Sequence, residues 1–111
     1  MTKFGTTIRA LRQDKQISLR KFAEKVGISP TYVSKVERDE FPPPGEETVR
    51  KMARLLGADE DELLGLAGKV ASDIPKIVEE RPTVMAPFFR AAGRLSDESI
   101  HKLLKQMRKM K

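Results

Sequence analysis

The three residues from 27 to 29 fix how the centre of this chain folds. Gly27 ends one helical pattern of apolar residues, and Ser29 with Pro30 begins the next pattern only about three residues later. Glycine accepts the left-handed backbone that closes a helix, serine accepts hydrogen bonds from free first-turn amides, and proline at the first helical position loses no bond. The sequence therefore predicts two short helices that meet at a tight turn.

Apolar residues spaced by three and four continue on both sides of this turn, and no long β-branched alternation interrupts them. We predict a first helix from Phe4 to about Lys15. The prolines at 42–44 exclude a helix there, because proline lacks a backbone donor and restricts the residue before it. A fourth helix follows and ends at Gly57, and a fifth begins at its cap Asp59. The predicted fold class is all-α.

The five helices form a first domain over residues 1–68, and residues 69–111 form a C-terminal helical segment. Chains of about 40 residues rarely bury a stable core without disulfides, metals or a partner. This segment must therefore dock onto another surface. A second copy of the chain is the preferred occupant, and packing against the chain's own first domain is the alternative. The predicted dimer interface consists of Val84, Phe88, Phe89, Ile100, Leu103, Leu104 and Met107.

Within the C-terminal segment the apolar spacing predicts three helices. The first is short, the second runs over Val84–Ala92, and the third runs from Ser96 to about Met110. A proline inside the second helix fits poorly there, and it allows a start as late as Met85.

The residue types exclude several classes of protein. Without cysteine the chain has no disulfide and no thiolate metal site, and its single histidine, His101, has no companion for a zinc site. No apolar run reaches the roughly 20 residues of a membrane span, and the first residues lack the apolar stretch of a signal peptide. No nucleophile, base and orienting group come together, so we predict neither catalysis nor a cofactor.

Positive charge is concentrated towards the two ends of the chain. The net charge is +6 over residues 1–38, −5 over 39–62 and +5 over 63–111. A basic stretch is typical of polyanion binding, although most charge runs are solvated helix surfaces. The basic, amphipathic C-terminus also fits a membrane surface or an acidic partner, but its apolar face lacks the aromatic residues typical of membrane binding. Charge alone leaves the partner open, so the residue spacing has to decide.

The spacing within the central helix pair meets four packing requirements. Counted from Leu19, Ala23 is fifth, Gly27 ninth, Val33 fifteenth and Val36 eighteenth. The fifth place needs a small residue where the helices cross, the ninth needs a left-handed backbone, and the last two bury the second helix against the first. The combination is specific to a helix-turn-helix.

The stretch SLRKFAEKVGISPTYVSKVER resembles the helix-turn-helix of the Cro/CI-like regulators, or Xre family, and the likeness extends over residues 4–66. The resemblance implies a five-helix, lambda-repressor-like DNA-binding domain whose recognition helix, Pro30–Arg38, enters the major groove. It also implies an ion pair between Arg12 and Glu37, in which the arginine holds the carboxylate with two parallel hydrogen bonds and fixes the recognition helix.

Helical spacing predicts which side chains of the recognition helix meet DNA, because its two valines turn inward. We expect base contacts from Ser29, Thr31 and Lys35, since lysine suits guanine O6 and N7 and the threonine methyl group suits a thymine methyl group. Other polar side chains are expected to bind phosphates, which position a protein without reading sequence. These are Ser18, Arg20, Tyr32, Ser34 and Arg38.

Three places depart from the family pattern. Leu19 stands where a glutamine is common, and Pro30 stands where a polar side chain often contacts DNA. The loop after the recognition helix, which frequently combines glycine with basic residues, is Asp39-Glu40-Phe41 followed by three prolines. We expect weaker phosphate contact from that side of the helix.

The sequence thus predicts a sequence-specific DNA-binding transcriptional regulator, a homodimeric repressor that reads a palindromic operator in double-stranded DNA. Two modules gain affinity by pairing on half-sites one helical turn, about 34 Å, apart. One alternative stays open, an antitoxin or adaptor whose C-terminal helices bind another protein and whose DNA binding serves autoregulation. In both cases we expect a cytoplasmic protein associated with the nucleoid.

Overall fold

The structure is a computed structural model that describes residues 4–110. Over this range the chain forms helices, turns and loops without a strand, so the all-α prediction is confirmed. The chain divides into two compact units, the first ending at Ala71 and the second beginning at Ser72. The domain boundary after residue 68 stays a prediction, because the compact first unit ends slightly later.

Five helices make up the described part of the first unit. They are α1 (Phe4–Asp14), α2 (Leu19–Val26), α3 (Pro30–Glu37), α4 (Glu46–Leu56) and α5 (Glu60–Leu66). Helix α1 ends just before the predicted Lys15, and Arg38 caps α3 instead of belonging to it. Helix ends fray over one or two residues, so these boundaries agree with the expected ones.

Local chemistry fixes five of these helix ends. Ser18, Ser29 and Asp59 each accept a hydrogen bond, with their side-chain oxygen, from the backbone N–H three residues later at 3.1, 3.1 and 2.9 Å. Gly27 and Gly57 close α2 and α4 at φ 87° and 68°, a left-handed backbone that other residues adopt only with strain. The predicted caps are therefore the caps that the structure uses.

Apolar side chains from all five helices form the core of the first unit. Complete burial of one such side chain stabilises a protein by about 1.5–3 kcal/mol, so the first unit has the means to fold independently. The core residues are Phe4, Ile8, Phe22, Ala23, Val26, Val33, Val36, Val49, Met52, Ala53, Leu56, Leu63 and Leu64.

Helices α1 and α3 approach each other closely at Gly5, which is buried. A Cβ atom on this residue would lie 2.9 Å from the carbonyl oxygen of Glu37, and closer still to that of Val36. Atoms of folded proteins avoid such separations, so the contact between the two helices requires a residue without a side chain at this position.

The second unit contains α6 (Asp73–Glu80), α7 (Pro82–Ala92) and α8 (Asp97–Met107). None of the described residues in these three helices is buried. Ser96 caps α8 by accepting a hydrogen bond from the Ser99 amide at 3.1 Å, as the sequence predicts. The described part of this unit therefore consists of three helices, of which α8 has a serine cap, and has no core.

The predicted start of α7 is wrong. The helix begins at Pro82, ahead of Val84 and Met85, and it continues through Pro87. Pro82 occupies the first turn, where a missing N–H costs nothing, so this proline is itself a helix start signal. Pro87 removes the hydrogen bond that its amide would have made one turn back, and its ring crowds the carbonyl group at that place, yet the helix continues to Ala92.

Helix α8 ends at Met107, short of the predicted Met110. Beyond it, the amides of Lys109 and Met110 donate to carbonyl oxygens three residues back, both at 3.1 Å. Such bonds tighten the last turn into 3₁₀ geometry, which ends the α-helical pattern.

Candidate nucleic-acid interface

Helices α2 and α3 are joined by the three predicted turn residues. The amides of Gly27 and Ile28 both donate to the Ala23 carbonyl oxygen, at 2.9 and 3.0 Å. The hydroxyl oxygen of Ser29 accepts from the Tyr32 amide at 3.1 Å. These bonds satisfy backbone groups that two adjacent helix ends would otherwise leave free, so the turn is a defined structure.

The inner face of α3 is packed as the spacing predicts. Val33 and Val36 are 0% and 1% exposed, and Ala23 on the facing helix is also fully buried. Helix α3 packs against both α1 and α2. The opposite face of α3 is left at the surface of the first unit.

The residues predicted to read bases lie on this outer face or next to it. Ser29 and Thr31 are exposed, and Lys35 is half-buried. The Lys35 ammonium nitrogen lies 4.9 Å from the centroid of the Phe41 ring, which is itself 5.8 Å from the Tyr32 ring centroid. Sequence reasoning assigned no contact to Phe41, because its approach depends on how the following loop folds back.

The residues predicted to bind phosphates are also accessible. Ser18 and Arg20, at the start of α2, are exposed, and Ser34 is half-buried, as is the tyrosine of α3. The Arg38 guanidinium lies 3.1 Å from the Glu40 carboxylate, and its Nε donates to the Ser34 carbonyl oxygen at 3.3 Å. This arginine thus has an acidic partner within the protein with which any phosphate must compete.

An open cleft of about 290 Å³ lies beside the C-terminal half of α3. Arg9, Ser34 and Arg38 are among its lining residues, together with Arg12 and Glu37. The sequence analysis assigned no role to Arg9, which is exposed and adds a cation close to the recognition helix. Its position one turn before Arg12 was the available signal, because residues three apart share a helix face.

The structure brings Arg12 and Glu37 together as expected. The arginine Nε lies 2.8 Å from one carboxylate oxygen and Nη2 lies 3.0 Å from the other. A third donor, Nη1, binds the Ile17 carbonyl oxygen at 2.9 Å. The pair therefore connects the end of α1, the loop after it and the end of α3.

Glu37 is the buried charged residue of the described range, with 7% exposure. The hydrogen bond that Arg12 donates to Glu37 raises the pKa of Arg12 above its usual value, against burial, which lowers it. The guanidinium therefore stays charged around neutral pH. Loss of either partner would leave the other charge without compensation in a largely desolvated position.

In the second unit, α7 and α8 present a wholly apolar groove of about 200 Å³. The Phe88 and Phe89 rings meet edge to face there, with their centroids 5.8 Å apart. Val84, also predicted for the interface, is 50% exposed and is not among the lining residues, whereas Ala92 is an unpredicted one. The lining residues are Phe88, Phe89, Ala92, Ile100, Leu103, Leu104 and Met107.

Residues 4–110 contain neither a membrane-spanning helix nor a cluster of metal ligands. No helix in this range is both long and apolar enough to cross a bilayer. No three or more His, Cys, Asp or Glu side chains in it are arranged to hold a metal ion.

The geometry defines a class of protein. A small helical unit in which a three-residue turn holds one short helix with its polar face outward is the helix-turn-helix arrangement of DNA-binding domains. A family model described as a helix-turn-helix domain matches residues 3–66. The chain belongs to this helix-turn-helix family, and its resemblance to the Cro/CI-like regulators is confirmed.

A curated relative is the HTH-type transcriptional regulator RghRB of Bacillus subtilis (strain 168), which is 29% identical over 80 residues. The alignment covers 72% of this chain and 57% of the relative. The chain thus spans little more than half the length of that protein.

Two solved structures extend the comparison. SinR, described as the master regulator for biofilm formation and solved in complex with DNA, is 31% identical with a TM-score of 0.51, over 55% of this chain and 97% of that one. The complex of SinR with SinI gives a TM-score of 0.53 at 23% identity, over 95% of this chain and 94% of that one. At so low an identity the second likeness concerns the fold alone.

Proposed function

We propose that this chain is a sequence-specific DNA-binding transcriptional regulator, acting as a dimeric repressor on a palindromic operator. One observation carries the proposal. Helix α3 is held by a buried face and by the Arg12–Glu37 pair, while Thr31 and its neighbours on the opposite face are left accessible. The related SinR has been solved with DNA, which supports the same ligand here.

In this proposal Ser29, Thr31 and Lys35 read base edges. Thr31 and Lys35 are one turn apart on the outer face, so both reach into a major groove that admits a helix. The lysine donates to guanine O6 and N7, and the threonine methyl group contacts a thymine methyl group. Ser29 precedes the helix and lies next to the same groove.

Phosphate contacts orient the helix without reading sequence. The first turn of α2 offers Ser18 and Arg20, and α3 offers Tyr32, Ser34 and Arg38. Arg9 joins this set because it lines the same cleft as the last two. A protein with this role works on the chromosome, so we assign it to the cytoplasm and the nucleoid, with neither a catalytic activity nor a cofactor.

The dimer is proposed to form through the second unit. Its apolar groove and the exposed Val84 are costly in water, and a second copy offers a matching surface. The same groove favours a second candidate, in which a different protein occupies it and DNA binding serves autoregulation. Both candidates share the DNA-binding unit and differ only in what covers α7 and α8.

Selection of duplexes from a randomised library on the full-length protein tests the DNA role. We expect enrichment of a palindromic sequence, with the logarithm of the binding constant falling against the logarithm of salt concentration by about 0.9 per phosphate neutralised. Lys35→Ala should weaken binding to the selected duplex by about 1–3 kcal/mol and should weaken binding to an unrelated duplex far less. The matched control is Lys51→Ala on α4, which should change neither.

If Lys35→Ala weakens binding to both duplexes equally, Lys35 is a phosphate contact and its base-reading role is wrong. If the library yields no preferred sequence, sequence-specific regulation is wrong as well.

Sedimentation tests the dimer. The full chain should sediment as a dimer, and deletion of residues 82–111 should give a monomer. A truncated protein that stays dimeric would exclude the groove as the interface, and a monomeric full-length chain would favour the candidate with a different protein partner.

A further inference from the structure

The loop after the recognition helix is one of the three departures from the family pattern, and the proposed function makes no use of it. Its backbone is held in place from both ends. Asp39 adopts φ 62°, and the amides of Glu40 and Phe41 both donate to the Lys35 carbonyl oxygen, at 2.8 and 3.3 Å. Pro44, the last of the three prolines, is buried. The loop is therefore a stiff segment with a defined position.

This stiffness fixes where the Phe41 ring lies. The ring is 41% exposed and stands beside α3, 5.8 Å from the Tyr32 ring and tilted by 49°. The Lys35 ammonium nitrogen lies 4.9 Å from its centroid, within the range of a cation–π contact. One side chain of the loop thus contacts both a proposed base-reading residue and a proposed phosphate-binding residue.

We propose that Phe41 is a positioning residue that determines specificity by holding Lys35 against its ring in the free protein. The inference rests on the proposed function of Lys35 as a base reader and adds the residue that directs it. The ring replaces the basic residues usual in this loop, so the loop contributes to sequence reading and not to phosphate binding.

The physical reason is the flexibility of lysine. A lysine side chain loses much rotamer freedom when it is fixed in an interface, and that loss weakens binding unless it has already occurred. A ring on one side of the ammonium group restricts these rotamers, while the donors on the side away from the ring stay available to base acceptors. The advantage applies only where the lysine makes a specific contact, so it increases discrimination between sequences.

The expected size follows from the contact. At an exposed site a cation–π contact changes an equilibrium constant by about two- to fivefold. Phe41→Leu removes the aromatic face but keeps an apolar side chain. We expect it to lower the affinity for the selected duplex by this factor and to leave the affinity for an unrelated duplex unchanged. Phe41→Tyr keeps the face and should restore the wild-type affinity.

Two further measurements separate positioning from a structural role. In the free, full-length protein, the Lys35 side-chain protons should show an upfield ring-current shift by NMR that Phe41→Leu removes and Phe41→Tyr keeps. In a double-mutant cycle, adding Phe41→Leu to Lys35→Met should cause no further loss of affinity for the selected duplex, because the ring acts through the lysine. Thermal unfolding of each variant checks that the first unit is folded.

The results distinguish this inference from the proposed function. If Phe41→Leu lowers the affinity for selected and unrelated duplexes alike, or leaves both affinities unchanged, Phe41 does not direct Lys35. Tighter binding by Phe41→Leu would mean that the ring withholds the lysine from DNA, which also overturns the inference. If Lys35→Met itself has no sequence-dependent effect, the base-reading role of Lys35 fails first and the role of Phe41 fails with it.

Discussion

The two compact units form helices by the same local chemistry, but they differ in how many side chains they bury. The first encloses a core of apolar side chains contributed by α1 to α5, whereas no described residue of α6, α7 or α8 is buried. Both have serine caps at helix starts, and both have large apolar side chains on one face of their helices. The difference shows that caps and apolar spacing are enough to form helices. A core forms only where the apolar faces of several helices pack against one another.

The largest contrast should come from removing one phenylalanine from each unit. Phe22→Ala should lower the free energy of unfolding by about 3–5 kcal/mol, because it leaves a cavity in a packed core. Phe88→Ala should leave the urea transition of the first unit in place and should instead reduce self-association. Urea denaturation followed by circular dichroism, together with sedimentation, measures both effects. Equal destabilisation by the two variants would contradict the contrast between the units.

Ion pairs should give a smaller contrast of the same kind. Arg12→Ala should cost about 3 kcal/mol, because it strands a buried carboxylate, and it should also weaken DNA binding. Lys102→Ala, which breaks a pair with 75% and 82% exposed side chains, should cost less than about 0.5 kcal/mol. Melting temperatures and duplex affinities of the two variants provide the comparison.

The stability contributed by Arg12 depends on pH with a definite sign. Because its hydrogen bond raises the pKa of Arg12, the contribution of Arg12 is fully present at lower pH and is lost only as the pH rises through strongly alkaline values. The deficit of Arg12→Ala should therefore be constant around neutrality. A deficit that changes steeply with pH there would point to another titrating group.

The smallest contrast should come from the serine caps. Ser29→Ala should lower the free energy of unfolding of the first unit by about 1 kcal/mol, since α3 belongs to its cooperative core. Ser96→Ala removes the same bond from α8 and should only increase local fraying. Amide hydrogen exchange would register the second effect in α8 while the main unfolding transition stays unchanged. A shift of that transition by Ser96→Ala would mean that α8 is part of the same cooperative unit.

The correct predictions rested on short-range signals. Glycine and serine at helix ends and apolar spacing predicted the boundaries of α2 and α3 and the end of α4, because caps act over three or four residues. The resemblance to a family supplied the pair of Arg12 with Glu37, which are distant in sequence. The same spacing gave the exposed face of α3.

The missed features depend on contacts between elements. Phe41 reaches Lys35 only because its loop folds back, and Arg9 meets the end of α3 only through the packing of α1. The early start of α7 depends on a local signal instead, because Pro82 stands at the beginning of the helix whereas Pro87 stands inside it. Proline position within a helix matters more than proline presence.

Because Gly5 has no side chain, the residue at this position determines how closely α3 packs on α1 and therefore where the outer face of α3 lies. Any larger residue would press on the backbone of α3 near its C-terminus, and a rigid helix transmits such a push along its length. Substitution there would displace the outward-facing side chains of α3 together, in contrast to an exchange on the outer face, which alters one side chain. Under the proposed function, substitutions on the outer face can therefore change operator preference gradually, whereas substitutions at position 5 cannot.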